Sequence, residues 1–219
     1  MHLGGELMSK MKRTIFNSLI LILGIMLLGC RDIDLRSSTV INENGSGIVK
    51  LQVVYDDFIS TKLKNDVIDH EWAKENGYNF NKYFKDNMNI EEITYEFKDI
   101  KELEEKINSS GLATMTDLKR ARGKDDVYTI DVKFNKSAID NLIKNNTDDQ
   151  KVYSYIKNIK FINEVEVPGN VIGCNAEEDV DENTRVWNYK LSQIDDDTKL
   201  DLAYKIKKHA FPISVLPNN

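Results

Sequence analysis

The chain has 219 residues, 41% hydrophobic and 30% charged, with 30 Lys+Arg against 36 Asp+Glu for a formal charge of −6. That apolar content and that charge balance exclude a polytopic membrane protein and a wholly disordered chain. Neutralising phosphates takes clustered Lys and Arg, and on the acidic balance of the whole chain no nucleic-acid partner is expected. Three His and two Cys leave little material for a metal site, and neither a metal nor another cofactor is expected.

The chain opens on a targeting pattern that precedes any fold. Lys10, Lys12 and Arg13 form a basic cluster, followed by the apolar run from Leu19 to Leu28. That run is about half the ~20 residues a helix needs to cross a bilayer, which is the proportion of a signal-peptide core. It ends Leu27-Leu28-Gly29-Cys30, which resembles a bacterial lipobox. In that family of signals the Cys thiol is alkylated with diacylglycerol and the chain is cut before it. Residues 1–29 are therefore read as a lipoprotein signal peptide, with the start open among Met1, Met8 and Met11. Cys30 is read as the lipidation site, 30–40 as a lipidated tether and 41–219 as the folded domain. Each buried CH₂ contributes ~0.8 kcal/mol, so two or three acyl chains anchor stably. Removing Lys10, Lys12, Arg13 and Glu6 takes the formal charge from −6 to −8. An anionic domain on an anionic membrane is expected to be held off the surface. With Cys30 lipidated, Cys174 has no partner for an intramolecular disulfide, and a structural thiol is expected there.

Along the domain, Asn44-Gly45-Ser46-Gly47 is a turn signal that pairs Ser38–Ile41 with a strand carrying Val49, Leu51, Val53 and Tyr55. Ser60 is placed to cap a helix through Leu63, Val67, Ile68 and Trp72, stopped at Asn76-Gly77, and a shorter helix carries Phe80, Tyr83, Phe84 and Met88. Ile93, Tyr95 and Phe97 alternate as a strand. Asp99 with Glu102 starts a helix through Leu103 and Ile107 that ends at Gly111. Tyr128, Ile130, Val132 and Phe134 alternate, and Ser137 precedes a helix with Ile139, Leu142 and Ile143. Val152, Tyr155 and Ile156 suggest another short helix. Phe161, Val165 and Val167 share one strand face, as do Trp187, Tyr189 and Leu191. Leu200, Ala203 and Ile206 suggest a last helix, and the apolar tail Phe211–Pro217 is too short to span a membrane. Clean alternation leaves one wet face per strand and favours antiparallel pairing. The fold class expected is α+β: a curved, mainly antiparallel sheet of about six strands with short helices packed on one side.

Chemical motifs are sparse. Asp179-Val180-Asp181-Glu182-Asn183 opens like a calcium loop, but Thr184 stands where Gly is needed and Lys190 where a bidentate Glu is needed, so a solvated hairpin tip is the better reading. Gly45-Ser46-Gly47 lacks the lysine and helix of a phosphate loop. Acidic pairs such as Asp56-Asp57 and the run Asp195-Asp196-Asp197 suit turns and caps.

Two stretches carry a family resemblance: Val40 to Leu51, soon after the lipobox, and Val165-Glu166-Val167-Pro168-Gly169 through Asn175-Ala176, followed by Asn183–Leu191 with Trp187. Together they resemble the LppM-like bacterial lipoprotein domain. The resemblance implies an extracytoplasmic domain with a curved sheet and helices; in one branch of that family a hydrophobic cavity is linked to binding envelope glycolipids. This chain departs from many relatives in having no C-terminal membrane helix.

The function expected is a membrane-anchored bacterial envelope lipoprotein, non-enzymatic, on the extracytoplasmic face of the cell membrane, binding a lipid or another apolar ligand. The alternatives are an anchored interaction module that meets other envelope proteins without a small ligand, and an envelope hydrolase. If there is a pocket, its candidate lining is Val49, Leu51 and Val53 on one strand with Trp187 and Tyr189 on another; no catalytic residue is named.

Overall fold

The computed structural model describes residues 33–61, 66–122, 125–144 and 158–207. The signal peptide, Cys30, Leu63, the expected helix around Val152–Ile156 and the tail Phe211–Pro217 lie outside the described residues, as do the side chains of Leu142 and Ile143.

The turn at Asn44–Gly47 folds as its composition demands. Gly45 sits at φ 84°, where a side chain would be strained, and Asn44 Oδ1 accepts from the Ser46 amide at 3.0 Å. It joins β1 (Ile33–Ile41) to β2 (Gly47–Asp56) in register from Ile33↔Tyr55 to Ile41↔Gly47. Residues 33–40, expected as tether, are therefore strand. One helical turn, Asp57–Ser60, follows. Helix α1 is only His70–Glu75; its cap is Asp69, whose Oδ1 accepts from the Trp72 amide at 3.0 Å, not Ser60.

The expected short helix at Phe80–Met88 is a hairpin. β3 (Asn79–Lys85) turns at Asp86-Asn87 into β4 (Met88–Phe97). Both turn residues have positive φ, 53° and 62°, the conformation that matches a two-residue turn to strand twist. Helix α2 (Ile100–Ser110) matches expectation: Asp99 Oδ1 accepts from the Glu102 amide, Glu102 reaches back to the Lys98 amide, and Gly111 closes it at φ 70°. β5 (Ala113–Arg122) and β6 (Asp125–Phe134) form the next hairpin, and α3 (Lys136–Lys144) follows, capped by Asn135 rather than Ser137. Then come β7 (Lys160–Glu166), β8 (Asn170–Cys174), β9 (Glu178–Asp179), β10 (Thr184–Lys190), a 3-10 turn at Leu191–Gln193, and β11 (Lys199–Lys207). β11 replaces the expected last helix. Leu200, Leu202 and Tyr204 alternate toward the core, and the strand is held by β6 on one side and β8 on the other.

Among the described residues eleven strands make two sheets, so the fold is α+β with more strands than the half-dozen expected. Sheet A runs β3-β4-β2-β1-β7-β10-β9 and sheet B runs β5-β6-β11-β8. All pairings are antiparallel except β1 with β7. One face of sheet A turns Arg36, Lys50, Glu96 and Glu164 to solvent, with Val54, Ile90 and Val186 buried on it; the other is the inner face, over which the core divides in two. The first cluster sets Val53, Tyr55 and Ile93 against Val67, Ile68 and Ala73 of the α1 region. The second sets Ile41, Phe97 and Trp187 against α2 and the inner face of sheet B, with Leu103, Met115 and Leu202 among its members. A fully buried side chain of this size contributes roughly 1.5–3 kcal/mol.

Candidate functional site

Strand register brings the five candidate residues to the inner face of sheet A, within three neighbouring rows. The central row crosses five strands: Ile93 (β4), Leu51 (β2), Ser37 (β1), Asn163 (β7) and Trp187 (β10). Val53 and Tyr189 share the row on one side, and Val49 lies in the row on the other. Burial then separates them. Val53 belongs to the first cluster and is closed over. Trp187 is fully buried in the second, its Nε1–H donating to Asn175 Oδ1 at 2.9 Å. Val49 and Tyr189 pack half-buried on the same cluster.

Leu51 belongs to neither cluster. It is 39% exposed, although strands flank it on both sides and its neighbour Ile93 is 5% exposed. Beside it along the row, Ser37 and Asn163 are 8% and 6% exposed. Neither side chain hydrogen-bonds another described residue, and neither is sealed from solvent. Buried polar groups ordinarily find partners. The seam between the clusters therefore presents Leu51 with, along one side, two polar side chains that hydrogen-bond no other described residue. Sequence reasoning missed Ser37 and Asn163 because their adjacency depends on the parallel β1–β7 pairing, which no local signal reports.

Aromatic residues line the β4 side of the seam. Tyr95, next to Val49 in register, lies 5.8 Å from the Tyr78 ring, which stacks on Trp72 at 5.4 Å. The Lys106 ammonium of α2 sits 4.7 Å and 4.9 Å from the two tyrosine ring centres. Burial lowers the Lys106 pKa. Burial, with a 2.7 Å hydrogen bond to Glu102, pushes the Tyr95 hydroxyl up to about 12. The Trp72 Nε1–H is buried without an acceptor among the described residues.

Beneath α1 lies a fully buried carboxylate, Glu91. It accepts from the Tyr55 hydroxyl at 2.5 Å and the Ile68 amide at 2.7 Å, and Lys82 Nζ lies 3.2 Å away. Burial and then Glu91 hold the Tyr55 hydroxyl above its usual range. Burial works against the Lys82 charge, but Asp66, Tyr55 and Glu91 outweigh it and hold the ammonium above its ordinary value. Among the described residues Glu91's close partners are Tyr55, Ile68 and Lys82, so the group pins the 66–68 segment to sheet A.

Asp131 and Asp201 face each other across β6 and β11 on the outer face of sheet B, where burial and then Asp201 raise the Asp131 pKa. The Asp179–Asn183 segment is a hairpin tip, with Asp181 Oδ1 accepting from the Asn183 and Thr184 amides. It edges an open polar cleft of about 390 Å³ lined also by Pro168, Gly169 and Asn170. Cys174 is exposed at the end of β8 rather than packed as a structural thiol. No helix among the described residues is long and apolar enough to cross a membrane.

A seven-stranded mixed sheet, half covered by a second sheet and half by short helices, defines the class of this domain by its fold. No family model matches the sequence, and no curated protein matches it. Among solved structures, the chain is similar to the NMR structure of the folded domain of the Mycobacterium tuberculosis protein LppM. The TM-score is 0.51 at 12% identity, over 81% of this chain and 92% of that one. At that identity the likeness is one of fold, and the fold is LppM-like, as the sequence motifs implied.

Proposed function

We propose that this chain is a membrane-anchored envelope lipoprotein, lipidated at Cys30 on the extracytoplasmic face, whose domain holds a lipid or other apolar ligand without catalysing a reaction. The observation that carries the binding reading is Leu51, left open between two filled clusters on the inner face of sheet A, beside Ser37 and Asn163, whose side chains hydrogen-bond no other described residue. An acyl chain laid along Leu51 removes apolar surface from water, and a headgroup or ester oxygen meets Ser37 and Asn163. Of the five candidate lining residues, Leu51 is the direct contact, Val49 and Tyr189 lie at the margin, and Val53 and Trp187 support the floor from within the core.

Displacement of a fluorescent fatty acid tests this on residues 30–219 carrying Cys30→Ser. Binding is expected to saturate and to weaken at least about tenfold in Leu51→Glu, since a charge in an apolar site costs more than 1.4 kcal/mol. Leu118→Glu, at a residue 54% exposed on the outer face of sheet B, is expected to bind as the parent does. Absence of saturable binding refutes the ligand reading. It would leave the anchored interaction module, which the exposed Leu118 and Ile172 of sheet B favour.

A further inference from the structure

The start of β1 places the domain relative to its anchor. Ile33 is the third residue after Cys30. A chain spans at most about 3.6 Å per residue, so the Ile33 Cα lies within about 11 Å of the Cys30 Cα. On the anchored reading proposed above, on which this inference rests, Cys30 sits at headgroup level. The edge of sheet A where β1 begins then sits there too.

Register identifies that edge. Ile33, Tyr55, Asn89 and Phe84 form one row, and Asp56, Met88 and Lys85 form the row beyond it. Phe84 is three strands from Ile33, roughly 14 Å across the sheet, and is 56% exposed. The Asp86-Asn87 turn carries it at the tip of the β3–β4 hairpin. Charge on this edge is slightly acidic: Lys85, with Lys160 and Lys190 of the neighbouring row, stands against Asp34, Asp56, Asp86 and Asp57, which accepts from Asn89 of the first row. Aromatic rings favour the membrane interface, and a neighbouring Lys extends its ammonium to the water side.

We propose that this edge is a membrane-docking edge, with Phe84 entering the interfacial layer of the bilayer that anchors Cys30. The domain then lies against the membrane rather than being held off it by net charge. The contact is apolar, so salt does not release it.

The test uses the full chain, processed and lipidated in a bacterial host, in vesicles of phosphatidylglycerol and phosphatidylethanolamine with brominated acyl chains. Tryptophan emission is compared between the parent, which carries Trp72 and Trp187, and single substitutions. The emission added by Phe84→Trp is expected to shift blue and to lose at least about half its intensity to bromine, at low and high salt, as for a ring at the acyl boundary. Lys85→Trp serves as a second probe of the same tip and is expected to be quenched in the same way. Leu118→Trp is expected to remain unquenched. Intact mass separates the failures. An acylated chain whose hairpin substitutions are quenched no more than Leu118→Trp overturns the docking edge alone. A chain with bare Cys30 overturns the anchored reading and this inference with it.

Discussion

Replacing Glu91 by Ala removes the acceptor shared by Tyr55 and Ile68 from a site with no access to water. A buried donor left unpaired costs about 1–3 kcal/mol, so the two donors together cost about 4 kcal/mol. Lys82 adds little, because it is partly exposed and keeps Asp66 at 2.7 Å. Against a typical stability of about 5–15 kcal/mol, that loss is large. Glu91→Gln keeps one oxygen, enough for the Ile68 amide, and turns its NH₂ toward the Tyr55 hydroxyl, which can accept as well as donate, so it should cost less than the alanine, about 1–2 kcal/mol. Tyr55→Phe, which removes one donor and leaves the Ile68 bond, should fall in the same range. Urea unfolding of residues 30–219 with Cys30→Ser measures all three, provided the denaturant slope is unchanged. A loss below about 1 kcal/mol for Glu91→Ala would refute the reasoning, as would an equal loss for Glu91→Gln.

At Gly47, an added Cβ would meet the Val40 carbonyl oxygen at 2.1 Å and the Phe97 ring at 2.4 Å, so Gly47→Ala should destabilise by about 3 kcal/mol or more in the same urea assay. Asp117 stands among apolar residues of sheet B with Oδ1 unpaired, and burial followed by Glu104 raises its pKa above the ordinary 3.8. A carboxyl raised in the folded state gives stability that is complete below its unfolded pKa and lost as pH rises through the folded one. Asp117→Asn should therefore stabilise the domain at pH 7, by about 1 kcal/mol after allowance for partial exposure, and confer no advantage near pH 3. Melting curves at the two pH values check it. Cys30→Ala should abolish incorporation of a fatty-acid analogue in cells and leave an unprocessed precursor, and undiminished label in that variant would contradict lipidation at Cys30.

The parts legible in the sequence were those decided locally. The Asn44–Gly47 turn, the Asp99–Gly111 helix with both its caps, and the alternating strands at 93–97, 128–134 and 161–167 each carry their signal within a dozen residues. Two misreadings have the same cause. Phe80, Tyr83 and Phe84 have helical spacing, yet Asp86-Asn87 behind them closes a hairpin onto β4, and the row Phe80–Ile93–Leu51 fixes the segment as strand. Leu200, Ala203 and Ile206 have helical spacing too, but Leu200, Leu202 and Tyr204 alternate equally well, and ladders on both sides decide for the strand. Tertiary pairing overrides a short ambiguous period. The candidate site was half legible. Val49, Leu51 and Val53 share a face by alternation alone. Which of them stays open depends on where α1 and α2 close over the sheet, and the polar neighbours Ser37 and Asn163 depend on a parallel pairing about 125 residues apart in sequence.

The central claim, that the inner face of sheet A holds an apolar ligand at Leu51, is tested most directly by native mass spectrometry of the full chain purified gently from its own host, with lipid extraction from the same sample. The account predicts a protein–lipid species of one ligand per chain, an extractable lipid of matching mass, and loss of both in Leu51→Glu while Leu118→Glu keeps them. Bare protein across all gentle conditions, or a lipid retained undiminished by Leu51→Glu, would contradict it.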